Sequence, residues 1–151
     1  MSTVSRTFTV DSPPALTLEY LKDFRHAEEW APGTHSCERI DTGPITEGAY
    51  WHHVSKLLGL TVELTYRLDA VTDRRLMFVG ENQSARTTDT ITVEPKGAGS
   101  TITYRSDIET YGTARIFSPL IRLVLQKRAA DTERQMSSVL DNLATVPGER
   151  A

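Results

Sequence analysis

Asp89 has the most chemical potential of any residue in this sequence. It lies in the Thr-rich, β-prone run from Arg86 to Glu94. Strand alternation places it with Thr87 and Ile91 on the face that must turn away from water. A carboxylate there has to pair, accept hydrogen bonds, or stay protonated through a raised pKa. It can be a polar anchor or general acid/base in a cavity, or a structural aspartate held by a tyrosine, a threonine or the backbone. His53 is its candidate partner, because an imidazole moves protons near neutral pH; it also reads as a partly exposed strand histidine. Tyr66 and Tyr104 bring apolar bodies with hydroxyl tips, which suit a pocket needing a few placed hydrogen bonds and suit strand packing equally. No metal is expected. His52 and His53 are adjacent and so point to opposite faces of a strand, and His26, Glu28 and Glu29 follow no ligand spacing. No cofactor is expected either, since there is no glycine-rich phosphate loop and no Gly-x-Ser-x-Gly elbow. Cys37, the single cysteine, has no activating neighbour in sequence and reads as inert.

Strands must position these residues. From Leu60 to Ala70, Leu60, Val62, Leu64, Tyr66, Leu68 and Ala70 alternate with Thr61, Glu63, Thr65, Arg67 and Asp69. That period of two has one dry and one wet face, as in an antiparallel sheet covered on one side. A two-residue turn at Leu58-Gly59 pairs Leu57 with Leu60. Trp51, His53, Ser55 and Leu57 then share the face of Val62, Leu64 and Tyr66, and a slip of one residue would present Tyr50, His52 and Val54 instead. In the last hairpin, Val93 opposite Ile102 sets Thr87, Asp89 and Ile91 beside Tyr104 and Ser106, with Leu76 and Phe78 on the same face.

The dry face needs a cover, and the stretch from Ser118 to Ala144 is the one element large enough. Ser118 is a suitable N-cap, Pro119 suits the first helical position, and Pro147-Gly148 predicts the end. Ile121, Leu125, Ala129, Thr132, Met136, Val139, Leu140 and Leu143 form one stripe. Its middle is small, at Ala129 and Thr132. Such a face leaves a space between helix and sheet, or a bulky side chain from the sheet fills it.

The rest of the chain is ordered simply. Thr3 to Val10 reads as a first strand, and Asp11-Ser12-Pro13-Pro14 as a turn into a helix carrying Leu16, Tyr20, Leu21 and Phe24 and ending near Asp23. A second short helical piece spans His26 to Trp30. Strands follow at Ser36 to Asp41, Ala49 to Leu57, Leu60 to Ala70, Leu76 to Gly80, Arg86 to Glu94 and Ser100 to Thr110, with Pro95 to Gly99 as a hairpin loop. Strands in a run and then a helix mean α+β. With no repeat or linker, residues 1–151 are expected to be one domain. The formal charge of −3 argues against general nucleic-acid affinity. No apolar run is long enough for stable membrane insertion and no secretory signal is visible, so a cytoplasmic setting is expected.

Beyond these patterns, the chain resembles a known superfamily. Gly48-Ala49-Tyr50-Trp51, Leu60 to Leu68 with Glu63 and Tyr66, Arg74-Arg75-Leu76-Met77-Phe78, Asp89-Thr90-Ile91-Thr92-Val93-Glu94-Pro95, then Gly97, Gly99 and Ile102-Thr103-Tyr104 are similar to small bacterial members of the START-like, Bet v 1-like (SRPBCC) superfamily. It includes polyketide cyclase/dehydrase and lipid-transport proteins. The resemblance implies the helix-grip fold, a curved antiparallel sheet of about six to seven strands around a long C-terminal helix, with two short helices after the first strand. It also implies a deep apolar cavity for a lipid, sterol, polyketide or hormone, and transfers no catalytic set, because fold is not function.

The expected function is therefore a carrier or sensor binding a small hydrophobic or aromatic molecule through Trp51, Leu64, Tyr66, Phe78, Thr87, Asp89, Tyr104, Ala129, Thr132 and Met136. The alternatives are a cyclase or dehydratase using Asp89 with His53 or a tyrosine, and a partner-binding protein with a vestigial cavity. Phe117, Leu120, Ile121, Leu123, Val124 and Leu125 are apolar on more than one face of the coming helix. Three covers suit them: the segment from Leu16 to Phe24, a second copy in a homodimer, or a membrane surface met by Arg122, Lys127 and Arg128.

Overall fold

The computed structural model describes the backbone of residues 2–57, 59–112 and 118–150, and their side chains except those of 57, 118, 120, 121 and 145–150. The elements are β1 (Ser2–Val10), α1 (Pro14–Lys22), a 3-10 turn (Phe24–His26), α2 (Ala27–Trp30), β2 (Thr34–Arg39), β3 (Tyr50–Leu57), β4 (Leu60–Val71), β5 (Arg75–Glu81), β6 (Ala85–Lys96), β7 (Gly99–Thr110) and α3 (Ser118–Arg150). The strands form one seven-stranded sheet in the order β1-β7-β6-β5-β4-β3-β2. Strands consecutive from β2 to β7 pair as antiparallel neighbours, and β1 closes on β7. β1 and β2 therefore occupy opposite edges, and the helical segment between them must cross the sheet. This is the expected α+β arrangement.

The registers follow the dry faces. Leu57 pairs with Leu60 and Trp51 with Tyr66, and Val93 pairs with Ile102 and Asp89 with Ser106. Thr87, Asp89, Ile91 and Val93 are accordingly all buried. Register shifts at Thr34/Ser36 and Leu68/Ala70 bend β2 and β4. Where β7 starts, the end of β1 comes close. A Cβ on Gly99 would lie 2.1 Å from the Val10 carbonyl oxygen, so only glycine fits.

Three local expectations are corrected. Pro95 and Lys96 extend β6 and pair with Ser100 and Gly99, so the turn is only Gly97-Ala98. Pairing with β5 stops at Thr92, so Pro95 lies beyond the ladder on that side, where its missing N–H costs little. The buried face of α1 is Thr17 and Leu21 rather than Leu16 and Tyr20. Thr17 shares a 2.6 Å hydrogen bond with buried Ser12, while Tyr20 stacks on His26 at 4.1 Å. α3 continues through Arg150, past Pro147 and Gly148; a proline so near the end forgoes one backbone bond without ending the helix.

The core joins Leu21, Phe24, Trp30, Trp51, Leu68, Leu76, Phe78, Ile91, Ile102, Met136 and Leu140. α3 is tied to β1 by Arg6–Glu133 at 3.9 Å, and just past that strand Asp141 accepts from the Asp11 amide at 2.8 Å. On its first half Leu123 is exposed. Residue 117 and the side chains of 118, 120 and 121, on which the capping and apolar-face expectations partly rest, lie outside the described residues. Among the described residues no helix is long and apolar enough to cross a membrane.

Candidate functional site

A cavity of about 200 Å³ lies between the inner face of the sheet and α3. Leu125, Arg128, Ala129 and Thr132 line it from the helix, so the two small residues of the stripe sit over the open space. The strands supply His53 and Ser55 from β3, Val62, Leu64 and Tyr66 from β4, Thr87 and Asp89 from β6, and Tyr104, Ser106 and Ile108 from β7. The crossing segment closes one end with Phe24, Trp30, Ala31 and Pro32, joined by Thr34 at the start of β2.

Of the expected ligand residues, Leu64, Tyr66, Thr87, Asp89, Tyr104, Ala129 and Thr132 are placed on this cavity, as is His53. Trp51, Phe78 and Met136 are not. Each is fully buried in the packed core. The cause is Phe24, which the 3-10 turn inserts against the sheet 4.5 Å from Phe78 and 4.4 Å from Tyr66. Phe78 and Trp51 lie behind it, 5.9 Å apart. The Trp51 indole N–H donates to Asp23 at 3.3 Å. Asp23 is itself buried; burial opposes its ionisation, but hydrogen bonds from Arg25 outweigh that and hold its pKa below the usual value. Met136 follows Thr132 by one turn, where helix and sheet close.

Asp89 is the polar centre. The Ser106 hydroxyl donates to its Oδ1 at 2.6 Å and that of Thr87 at 3.2 Å. The Tyr66 hydroxyl donates to Oδ2 at 3.3 Å. Burial pushes Asp89 up to about 6, against the downward pull of these three donors. Gly80 makes the Tyr66 contact possible. Tyr66, Gly80 and Thr87 are register neighbours on β4, β5 and β6, and the phenol ring lies flat over the glycine. A Cβ there would be 2.7 Å from the ring. The ring thus spans β5 and delivers its hydroxyl to β6. Burial, and next the Asp89 charge, raise both Tyr66 and Tyr104 well above an ordinary phenol.

His53 does not bond to Asp89, contrary to the pairing expected from the sequence. The Tyr66 ring stands beside it, 5.2 Å between centroids. His53 Nε2 shares a 3.0 Å hydrogen bond with Thr34 Oγ1, and Nδ1 is buried without a partner. Burial, then the nearby charge of Arg128, push its pKa down to about 4, so the ring is neutral near pH 7. Among the described residues the buried Trp30 Nε1 also lacks a partner.

Sequence reasoning missed Arg128 as a cavity residue. Its guanidinium donates to the Lys56 carbonyl and lines the cavity, where burial lowers its pKa. Cys37 is buried and its thiol is pushed up to about 12, so it is a poor nucleophile. Among the described residues no cluster of three His, Cys, Asp or Glu side chains is gathered that could hold a metal ion. The site can solvate a hydroxyl or carbonyl, exchange a proton at Asp89 near neutral pH, and enclose an apolar ring.

A family model described as polyketide cyclase / dehydrase and lipid transport matches residues 1–147. Among solved structures, a START superfamily protein from Mycobacterium smegmatis aligns with TM-score 0.78 at 11% identity, over 95% of this chain and 99% of the other. A protein from Thermus thermophilus gives TM-score 0.74 at 17% identity over 96% and 98%. The Zhui aromatase/cyclase from Streptomyces sp. R1128 gives 0.73 at 16% identity over 95% and 93%. These likenesses show the helix-grip fold. No curated protein matches the chain.

Proposed function

The chain belongs to the polyketide cyclase/dehydrase and lipid-transport family, and we propose that it binds a small hydrophobic or aromatic molecule, lipid- or polyketide-like, between the sheet and α3 as a carrier or sensor. The cavity under Ala129 and Thr132 carries this reading. Its volume of about 200 Å³ lies below the 300–1,000 Å³ common for drug-sized ligands and above the ~150 Å³ that holds benzene. One or two rings fit it as it stands. Leu64, Tyr66, Thr87, Asp89, Tyr104, Ala129 and Thr132 are the proposed contacts. Naphthalene, an apolar two-ring fluorophore, tests this. Ala129→Phe is expected to weaken its binding about ten-fold or more while the variant stays folded. Unchanged affinity in a folded variant would overturn the location.

Asp89 favours a second reading, a cyclase or dehydratase. A cavity-lining carboxyl with a pKa of about 6 suits general acid/base work at neutral pH. Tyr66, which touches it, is the proposed partner in place of His53. In an enzyme, Asp89→Asn abolishes turnover of a poly-β-ketone thioester; in a carrier it alters ligand preference only. The same reading takes residues 1–151 as one cytoplasmic domain. A homodimer covering the exposed Leu123 would appear in sedimentation at micromolar concentration and be lost in Leu123→Lys.

A further inference from the structure

We propose that the ligand is an aromatic hydroxy acid, its carboxylate held at Arg128 and its hydroxyl at Asp89. This rests on the cavity being a binding site. The two ends of the cavity differ in hydrogen-bonding character, and each has capacity left over.

At one end stands Arg128. Its guanidinium is half-buried, and among the described residues it donates to the Lys56 carbonyl. Among the described residues no carboxylate is in ion-pair contact with it; Asp131, one turn away, pairs with Arg134 and reaches Arg128 only through its charge. The place is shaped for it, because a Cβ on Gly33 would fall 2.6 Å from the guanidinium nitrogen. Half-burial without a direct ion pair costs the cation solvation, and N–H donors remain for an anion. Trp30 and His53 line the same cavity, and each keeps a buried ring nitrogen without a partner. Buried polar atoms of this kind are uncommon and call for a partner. A planar carboxylate can take two parallel hydrogen bonds from the guanidinium, which a neutral carbonyl cannot match.

At the other end stands Asp89. Oδ1 is occupied by Ser106 and Thr87. Among the described residues Oδ2 has only the Tyr66 hydroxyl, at 3.3 Å, long for a hydroxyl–oxygen bond and so leaving an acceptor free. A carboxylate acceptor selects a donor, and a hydroxyl is the smallest. The charges of Arg128, His52 and Glu28 act on His53, and that of Asp107 acts on Asp89. His53 and Asp89 lie three strand intervals apart, about 14 Å along the sheet. Val62, Leu64, Ile108 and Ala129 give the cavity an apolar wall for the ring. A fatty acid has the carboxylate without the hydroxyl, and a neutral polyphenol the reverse.

Fluorescence titration of the full chain near neutral pH with 6-hydroxy-2-naphthoate, 2-naphthoate, 2-naphthol and naphthalene tests the assignment. The hydroxy acid is expected to bind tightest. Loss of the carboxylate is expected to cost about ten-fold or more, and loss of the hydroxyl about five-fold. Arg128→Gln should remove most of the advantage of the acid over 2-naphthol, and Arg128→Lys should restore part of it. The wild-type series suffices if Arg128→Gln fails to fold. If naphthalene and its derivatives all fail to bind, the cavity reading falls and this inference with it. If naphthalene binds and the hydroxy acid has no advantage, or Arg128→Gln keeps the full preference, only the hydroxy-acid assignment is overturned.

Discussion

Replacing Asp89 by Asn removes the charge of the carboxyl while keeping its shape. The Asn oxygen can still accept from Ser106 and Thr87, and its NH₂ can donate to the Tyr66 hydroxyl oxygen. Burial lifts the Asp89 pKa from 3.8 to about 6, a shift of roughly two units, worth about 3 kcal/mol between protonation states. The folded state therefore holds this proton more tightly than the unfolded chain. The associated stability is fully present below the unfolded value and is lost as pH rises through about 6. His53 works in the opposite sense. Burial and Arg128 push it from 6.5 to about 4, so its contribution is fully present above the unfolded value and is lost as pH falls through about 4. The two slopes oppose each other in the wild type, which is expected to show a shallow pH profile between them. Asp89→Asn leaves the His53 slope alone, so the variant should gain about 3 kcal/mol on the wild type between about pH 4 and pH 8. Urea unfolding followed by circular dichroism at several pH values reads this difference. An offset between the two proteins that stays constant with pH would refute the placement of Asp89 in a low-dielectric site.

Two further substitutions separate site from core. Gly80→Ala puts a Cβ 2.7 Å from the Tyr66 ring; it is expected to cost about 1–3 kcal/mol and to weaken probe binding by displacing Tyr66, as thermal unfolding and fluorescence would record, whereas wild-type stability would mean the ring does not lie there. Met136→Ala empties a fully buried core position, with an expected cost of about 2–5 kcal/mol and little change in probe affinity; a large loss of affinity without loss of stability would return Met136 to the cavity wall.

The sheet was legible because its signals are local. Alternation from Leu60 to Ala70 and the short turn at Leu58-Gly59 define a face and a register, and the pairing of Trp51 with Tyr66 follows from them. The same logic placed Asp89, Thr87, Tyr104 and Leu64 on one inner surface, and the small residues Ala129 and Thr132 marked where the helix leaves room. What was not legible depends on contacts distant in sequence. Nothing in the strands says that Phe24 will cover Phe78 and Trp51, since a three-residue 3-10 turn between two edges of the sheet decides it. In sequence, Arg128 looks like one more charge on the outside of an amphipathic helix. Its position is set by Gly33 and the Lys56 carbonyl. Residue type alone offers Asp89 the partners Tyr104 or His53. The flat seat at Gly80 brings Tyr66 to it instead.

The central claim, that the space between sheet and α3 takes an apolar ligand, is tested most directly by methyl NMR of the wild-type chain during titration with naphthalene. Val62, Leu64, Ile108 and Leu125 line the cavity. Leu76 and Leu140 are buried in the core, and Leu60 and Leu123 face solvent. The account predicts large ring-current shifts for the first four, saturating together at one equivalent, with the others nearly still. Shifts confined to Leu60 and Leu123, or none at saturating probe, would contradict it.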